Sequence, residues 1–521
     1  MPKEVSDHLF RLIGRMSKSE KRFFKLMAAR QKGGGEKFVV LFDRLEKMKT
    51  YDEELLLKRE PSLSRKQLPN LKSFLYSYLL RSLRLCNSSG SADVRLSDYC
   101  CEARILYDKC LYRDSLRMIE RARKFAHTHG RTGPLMDLLD LEKEVIRHTI
   151  TADHAQKVDE SVSDTGEVLE QLNRTTQFSN LLIRLNAFYV QSGFIRNRKD
   201  LYSVQRFFRK NLPAYEESRL GFPEKLYLYS AFTGYYFFIQ DFRNGYRYSK
   251  RSVDLFEKFP GQIYNYPEFY IRALNSQLVV LNKFRRLEEF EAVHRQLIAL
   301  KRNGAFDKTE NINLNLFRAI YVHEINRHFM MGEFRSGVRV VAKLEKELNR
   351  FIPLLDHHSL LLFYYKIACL YFGADQYRSA LHWLSRIIGE KDISVREDLH
   401  AFARILALIC HFELGNDRLA EAHVKSLYRY LLRKGDLSAY HREILAFIRK
   451  LHRNLSPREL NLLFHRLKDK MSSLSRQRFE RRAFFYFDII TWLESKISNR
   501  TVEQIIKEKV KAADRKLLAK K

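Results

Sequence analysis

Hydrophobic, small and polar residues return along this chain in a fixed order about every 43 residues. The clearest copy has Tyr364, Ala368 and Tyr371, a polar turn at residues 375–377, and then small and apolar positions that begin with Ala380. A second copy uses the following residues in the same order: Tyr321, Ile325, His328, the turn 332–334, Gly337, Val341 and Leu344. Small residues let two helices approach closely, while aromatic rings fill the space between successive pairs. The pattern therefore predicts repeated hairpins of two helices.

Further copies extend this pattern over most of the chain. They are marked by these residues: Tyr99, Ala103, Ser115 and Ile119; Tyr229, Thr233, Gly245 and Ser249; Leu274, Leu278, Phe290 and His294; and, more weakly, Leu408, Ala420 and Val424. The first copy and the copy at Tyr229 are separated by about three periods. The spacing predicts two degenerate hairpins there, at about 134–172 and 176–211.

These residues resemble the tetratricopeptide repeat (TPR), in which a large, a small and an aromatic residue mark the first helix and small or apolar residues mark the second. The period here exceeds the family's 34 residues, and the family's proline near the end of each repeat is mostly missing. The resemblance covers about residues 93–430. It implies an all-α protein, a right-handed superhelical solenoid of antiparallel helix hairpins. In this chain the hairpins would repeat with a period of about 43 residues.

The segments outside the repeats differ in character. In residues 1–87 we expect four helices, the first of which begins with a capping box of Ser17 and Glu20. The polar loop 87–91 is the best boundary. At the other end, Ser456 and Pro457 predict a helix start, residues 478–497 predict a closing helix, and a basic amphipathic tail begins at Thr501. The predicted domains are 1–87, a repeat array at 93–435, and capping helices with a basic tail at 436–521.

Composition narrows the fold and the location of the protein. Only 10 Pro and 20 Gly occur in 521 residues, which favours long helices with short connections. The six cysteines lack paired spacing, and the N-terminus carries charges where a secretory signal would be apolar. We therefore expect a cytoplasmic protein. The longest apolar stretch, 360–374, is too short to span a bilayer and is interrupted by Lys366, so it predicts a buried helix.

The net charge of +32 permits two interpretations. A basic surface attracts nucleic acid or an anionic membrane, but the cations are also interleaved with 62 acidic residues, as on solvated helix faces. Basic and aromatic residues alternate at 206–210, 246–251 and 476–487. Such mixtures bind nucleic acid, and they also arise on amphipathic helices whose rings point inward.

Motifs for chemistry are weak. His323 and His328 are five residues apart, whereas the zinc-protease motif needs histidines four apart on one helix face. The run Gly33–Gly35 with Lys37 has no preceding strand and no following Ser or Thr. It therefore does not match a phosphate-binding loop. We expect no metal, no cofactor and no enzymatic activity. An enzyme would require a cluster of buried carboxylates or histidines.

The resemblance to TPR proteins implies that the first helices line a concave face that holds a peptide or a partner helix. The spacing of that family selects the following groove candidates: Arg272, Asn275, Asn282, Asn326, Phe329, Tyr365 and Phe372. Amide side chains can pair with both groups of a peptide backbone. The alternative is that the longer helices rotate these residues into interfaces. The predicted function is protein or peptide binding through the concave face; the other hypothesis is a nucleic-acid-associated regulator that uses the basic surface and the N-terminal segment.

Overall fold

A computed structural model describes residues 7–30, 35–87, 91–304, 309–390, 396–433, 437–451, 455–485 and 487–518. Within these ranges all regular secondary structure is helical and there is no strand, which confirms the all-α prediction. Neighbouring helices in the sequence are also the main packing partners. Most of the predicted Gly33–Gly35 turn, the centre of the boundary loop at 88–90 and residue 435 lie outside the described residues.

The N-terminal segment begins one helix earlier than the sequence indicates. Its helices are α1 (His8–Arg15), α2 (Lys18–Ala29), α3 (Gly35–Lys47), α4 (Glu53–Arg59) and α5 (Leu68–Asn87). The capping box is confirmed, because the Ser17 hydroxyl accepts from the Glu20 amide while the Glu20 carboxylate accepts from the Ser17 amide. Phe24, Phe38 and Phe42 form the centre of the core of this segment.

The first predicted hairpin is present, whereas the two degenerate hairpins are wrong. Helices α6 (Ala92–Asp108) and α7 (Tyr112–His129) approach closely enough for the Ser115 hydroxyl to donate to the Ala103 carbonyl at 2.9 Å. They are followed by α8 (Gly133–His148) and then by α9 (His154–Ser192), a single helix of 39 residues. The predicted break between 172 and 176 does not occur, because no proline interrupts this stretch and its one glycine, Gly166, lies elsewhere.

The chain forms two compact units, Met1–Leu169 and Glu170–Lys521. After α9, the helices of the second unit up to residue 433 are α10 (Arg198–Asn211), α11 (Phe222–Phe238), α12 (Phe242–Lys258), α13 (Gln262–Asn265), α14 (Pro267–Phe284), α15 (Leu287–Arg302), α16 (Glu310–Met331), α17 (Phe334–Phe351), α18 (His357–Gly373), α19 (Tyr377–Ile388), α20 (Glu397–Glu413) and α21 (Asp417–Arg433). Each pair from α11–α12 to α20–α21, leaving out the short α13, packs side by side.

The same turn joins the two helices of each of these pairs. One residue of each turn adopts the left-handed conformation, in order Gln240, Arg285, Gly332, Asp375 and Gly415. The amide of the next residue then bonds back to a carbonyl five residues earlier, as from Gln376 to Tyr371 at 2.9 Å. This bond satisfies a helix-terminal carbonyl, as in a Schellman motif. The turn at Cys110 between α6 and α7 has the same geometry.

Small residues let helices approach closely, both within a pair and between neighbouring pairs. A Cβ atom added at Gly245 would lie 2.3 Å from the Phe237 ring, and one added at Gly373 would lie 2.2 Å from the Phe334 ring. Ala380 has no exposed surface. These positions therefore exclude larger side chains because a neighbouring ring or helix already fills the space.

The C-terminal part of the chain runs back over the array. Helices α22 (Ala439–Leu451) and α23 (Pro457–Ser475) are followed by a short 3-10 helix (Arg481–Phe485), α24 (Ile489–Ser498) and α25 (Val502–Leu518). The helix start predicted at Ser456 and Pro457 is confirmed, and Ser456 forms a capping box with Glu459. The predicted single closing helix at 478–497 is wrong, because its first part leaves the helical path to contact the turn between α11 and α12, where Arg478 donates to the Ile239 carbonyl at 3.3 Å.

The second unit is also tied together across several hairpins. The Arg396 amide donates to the Val190 carbonyl at 3.1 Å, and Gly193 lies directly against the Asp398 carboxylate. These contacts join parts of the chain that are separated by several hairpins. Among the described residues no helix combines the length and the apolar character that crossing a membrane requires.

Candidate functional site

A chain of polar side chains crosses the first helices of three successive pairs. His323 on α16 bonds through Nε2 to Oδ1 of Asn275 on α14 at 3.0 Å. Its Nδ1 meets the amide nitrogen of Asn326 at 3.1 Å, and Oδ1 of Asn326 accepts from the ammonium of Lys366 on α18. We call the side of α14, α16 and α18 that carries these four residues the inner face.

The position of the proton on His323 follows from its partners. Oδ1 of Asn275 can only accept, so Nε2 carries the proton, and Nδ1 accepts from the Asn326 amide. Burial lowers the pKa of His323 well below its usual range, and His294 and Lys366 lower it further. The ring is therefore neutral at physiological pH, and it orients Asn326 toward Lys366.

Two lysines lie on the inner face. Lys366 stands 5.6 Å from the centre of the Phe329 ring, and burial lowers its pKa to about 8. Lys283 on α14 stands 4.0 Å from the centre of the Phe485 ring and donates to the Phe485 carbonyl at 3.4 Å. Burial lowers the pKa of Lys283 well below its usual range, and the charge of Lys366 adds to this.

Arg272 and Asn282 lie on α14, one before and one after Asn275 in the sequence. Arg272 is exposed and stacks on Phe269 at 4.9 Å, yet burial still lowers its pKa. Asn282 is half-buried and its side chain has no hydrogen-bond partner among the described residues.

Three groove candidates lie in the interior. Asn326, Tyr365 and Phe372 are only 4%, 2% and 2% exposed. The Phe372 ring packs edge-on against Phe487 at 5.1 Å. Contact between a ligand and these three residues would require neighbouring elements to move, whereas the half-buried Phe329 retains surface.

Several rings of the basic and aromatic stretches pack against other rings of the protein. Phe208 is 4% exposed and stacks on Tyr235 at 4.0 Å. Tyr248 stacks on Phe232 at 4.5 Å, and Phe485 packs against Phe242 at 5.2 Å. These rings are therefore occupied by the protein's own core and are not open platforms for bases.

Other parts of the described structure offer little chemistry. No group of three or more His, Cys, Asp or Glu side chains within the described ranges could hold a metal ion. In the first unit, a shallow recess of about 290 Å³ is lined largely by Leu63, Leu68, Leu71 and Phe74, with Lys37 at its border. This recess is apolar, so it does not resemble a phosphate site.

The spacing of the repeat family selects Asn275 and Asn326 but not the residues that connect them. The sequence patterns present His323 only as half of an incomplete zinc motif, and Lys366 only as an interruption of an apolar stretch. A lysine inside an otherwise apolar helix was nevertheless the available signal, because a buried ammonium needs partners. Lys283 had no comparable signal, since its burial depends on the C-terminal segment that folds back over it.

Comparison of the chain with protein-family models, with curated proteins and with solved structures gave no match.

Proposed function

We propose that residues 93–435 are a TPR-like, right-handed superhelical array with a period of about 43 residues. The support is the recurrence of one turn at Gln240, Arg285, Gly332, Asp375 and Gly415. Each turn ends a first helix in the same way, so the first helices of successive pairs present corresponding positions to one side.

As the function of this array we propose non-enzymatic binding of a protein or peptide through the inner face, in the cytoplasm. The observation that carries this proposal is the hydrogen-bonded chain from Asn275 to Lys366, which crosses α14, α16 and α18. It holds polar groups in fixed orientations beside the unpaired amide of Asn282 and the half-buried ring of Phe329. Preorganised polar groups with an adjacent apolar surface are suited to an extended peptide.

The test uses the full-length protein and a random peptide library. Peptides selected by display are measured by fluorescence anisotropy against wild type and the double variant Asn282→Ala with Phe329→Ala. Loss of an amide pair and an apolar contact should weaken binding roughly ten- to a hundredfold. Gln296→Ala, on the exposed side of α15, is the matched control. Equal affinity for wild type and the double variant, with helicity unchanged, would place the binding surface elsewhere.

The alternative, a nucleic-acid-associated regulator, rests on the net charge of +32. Phe208, Tyr248 and Phe485 of the basic stretches already pack on other rings of the protein, which disfavours stacking on bases. Any binding would therefore depend on phosphate contacts and would weaken steeply as salt is added. The logarithm of the binding constant should fall with the logarithm of the salt concentration, with a slope of about 0.7 to 0.9 for each phosphate neutralised. An absence of binding to DNA and RNA at low ionic strength would remove this alternative.

A further inference from the structure

Two lysines of the inner face, Lys283 and Lys366, bond to neutral oxygens of the protein. The ammonium of Lys366 bonds to the Asn326 amide oxygen, and that of Lys283 bonds to the Phe485 carbonyl. Among the described residues no carboxylate lies within ion-pairing distance of either lysine. Elsewhere in the same unit a half-buried lysine does have such a partner, as Lys496 has in Glu413.

Each of the two ammonium groups has more hydrogen-bond donors than the acceptors it contacts. An ammonium has three donors, and each of these lysines uses one on a neutral protein oxygen while an aromatic ring lies beside it. Both side chains also keep part of their surface accessible to water. A half-buried ammonium with unused donors is stabilised when an anion binds to it.

We propose that the inner face binds an acidic peptide segment, whose carboxylates pair with Lys283 and Lys366. The inference rests on the proposed function and specifies its ligand. The neighbouring amide of Asn282 supplies a partner for the peptide backbone. Nucleic acid is disfavoured, because Phe208 and Phe485 of the basic stretches already pack on other rings of the protein.

The experiment measures binding of a fluorescent oligoglutamate peptide to the full-length protein at moderate salt. Oligolysine, a phosphoserine peptide of equal charge and single-stranded DNA are the comparison probes. The variants are Lys283→Met and Lys366→Met. Lys250→Met is the control, because it removes the same charge from an exposed position on α12 that has no ion pair among the described residues.

A second measurement needs no variant and therefore does not depend on their folding. Wild-type protein is reductively methylated with trace reagent, with and without oligoglutamate, and the extent of labelling at each lysine is read by mass spectrometry. We expect at least fivefold protection of Lys283 and Lys366, and little change at Lys250. In the binding assay, Lys366→Met and Lys283→Met should each weaken oligoglutamate binding about tenfold or more, whereas Lys250→Met should change it less than twofold.

The outcomes separate this inference from the proposed function. One outcome is that peptides selected from the random library bind the inner face while oligoglutamate fails to protect the two lysines and its binding does not depend on them. In that case the acidic ligand is wrong, and the proposal of peptide binding stands. Preferential binding of DNA or of the phosphoserine peptide that depends on both lysines would also overturn the acidic segment, since it would identify phosphate as the ligand. If neither the selected peptides nor oligoglutamate reach the inner face, both proposals fail.

Discussion

Replacing Asn326 by alanine should destabilise the second unit more than its small change in volume suggests. Asn326 is 4% exposed, and its amide serves His323 on one side and Lys366 on the other. The variant would leave Nδ1 of His323 without a donor and the Lys366 ammonium without its only hydrogen-bond acceptor among the described residues. One unsatisfied buried polar group costs about 1 to 3 kcal/mol. We therefore expect the free energy of unfolding to fall by about 2 to 5 kcal/mol.

The chain offers a selective probe for this measurement. Its two tryptophans, Trp383 and Trp492, both lie in the second unit, so urea unfolding followed by tryptophan fluorescence reports that unit alone. The matched control is Asn282→Ala, which makes the same chemical change on α14 without removing a hydrogen bond. We expect the control to stay within about 0.5 kcal/mol of wild type.

The reasoning fails if the two alanine variants are equally stable. A double-mutant cycle between Asn326→Ala and Lys366→Met adds a stricter criterion. Residues in one hydrogen-bond network show interaction energies of about 0.5 to 3 kcal/mol. Strictly additive effects would therefore show that the contact between Asn326 and Lys366 does not contribute to stability.

Three further predictions concern stability. The pKa of Lys366 is about 8 in the folded protein and about 10.4 when unfolded; because the unfolded chain binds more protons between these values, wild type should gain stability relative to Lys366→Met as pH rises from about 8 to 10.5, and a constant difference in urea midpoint would contradict this. Gly373→Ala, whose Cβ would lie 2.2 Å from the Phe334 ring, should lower the free energy of unfolding by about 1 to 3 kcal/mol, whereas Gly234→Ala, with its nearest atom at 4.0 Å, should be neutral or stabilising by up to about 1 kcal/mol; similar urea midpoints for the two would refute the assigned contact. Ala380→Trp should overpack its hairpin and cost about 1 to 3 kcal/mol; an unchanged midpoint would argue against the assigned helix pairing.

The hairpins were predictable because their signals are local. At Ala380 a small side chain is needed where two helices meet, and the capping residues Ser17 and Ser456 mark helix starts within four residues of sequence. The length of α9 was not predictable from the repeat spacing. Between the first copy and the copy at Tyr229 the repeat pattern is weak, and extending the period through it placed a break where no residue terminates the helix.

The candidate site was predictable in part. The family spacing placed Asn275 and Asn326 on facing helices, and the structure joins them through His323. Which inward positions become buried depends on how each helix is rotated about its own axis. No local sequence signal indicates that rotation. The partner of Lys283 was out of reach for a different reason, because Phe485 lies 202 residues away in the chain.

The contacts of residues 190–193 with residues 396–398 have a consequence for how this protein can evolve. An open array of hairpins can gain or lose one hairpin by duplication or deletion, because both ends are free. Here the Arg396 amide must reach the Val190 carbonyl, and Gly193 must lie against Asp398. Adding or removing a hairpin between them would displace both contacts by the width of a helix pair. The number of hairpins between α9 and α20 is thus fixed by closure, and variation is expected in loops instead of in copy number.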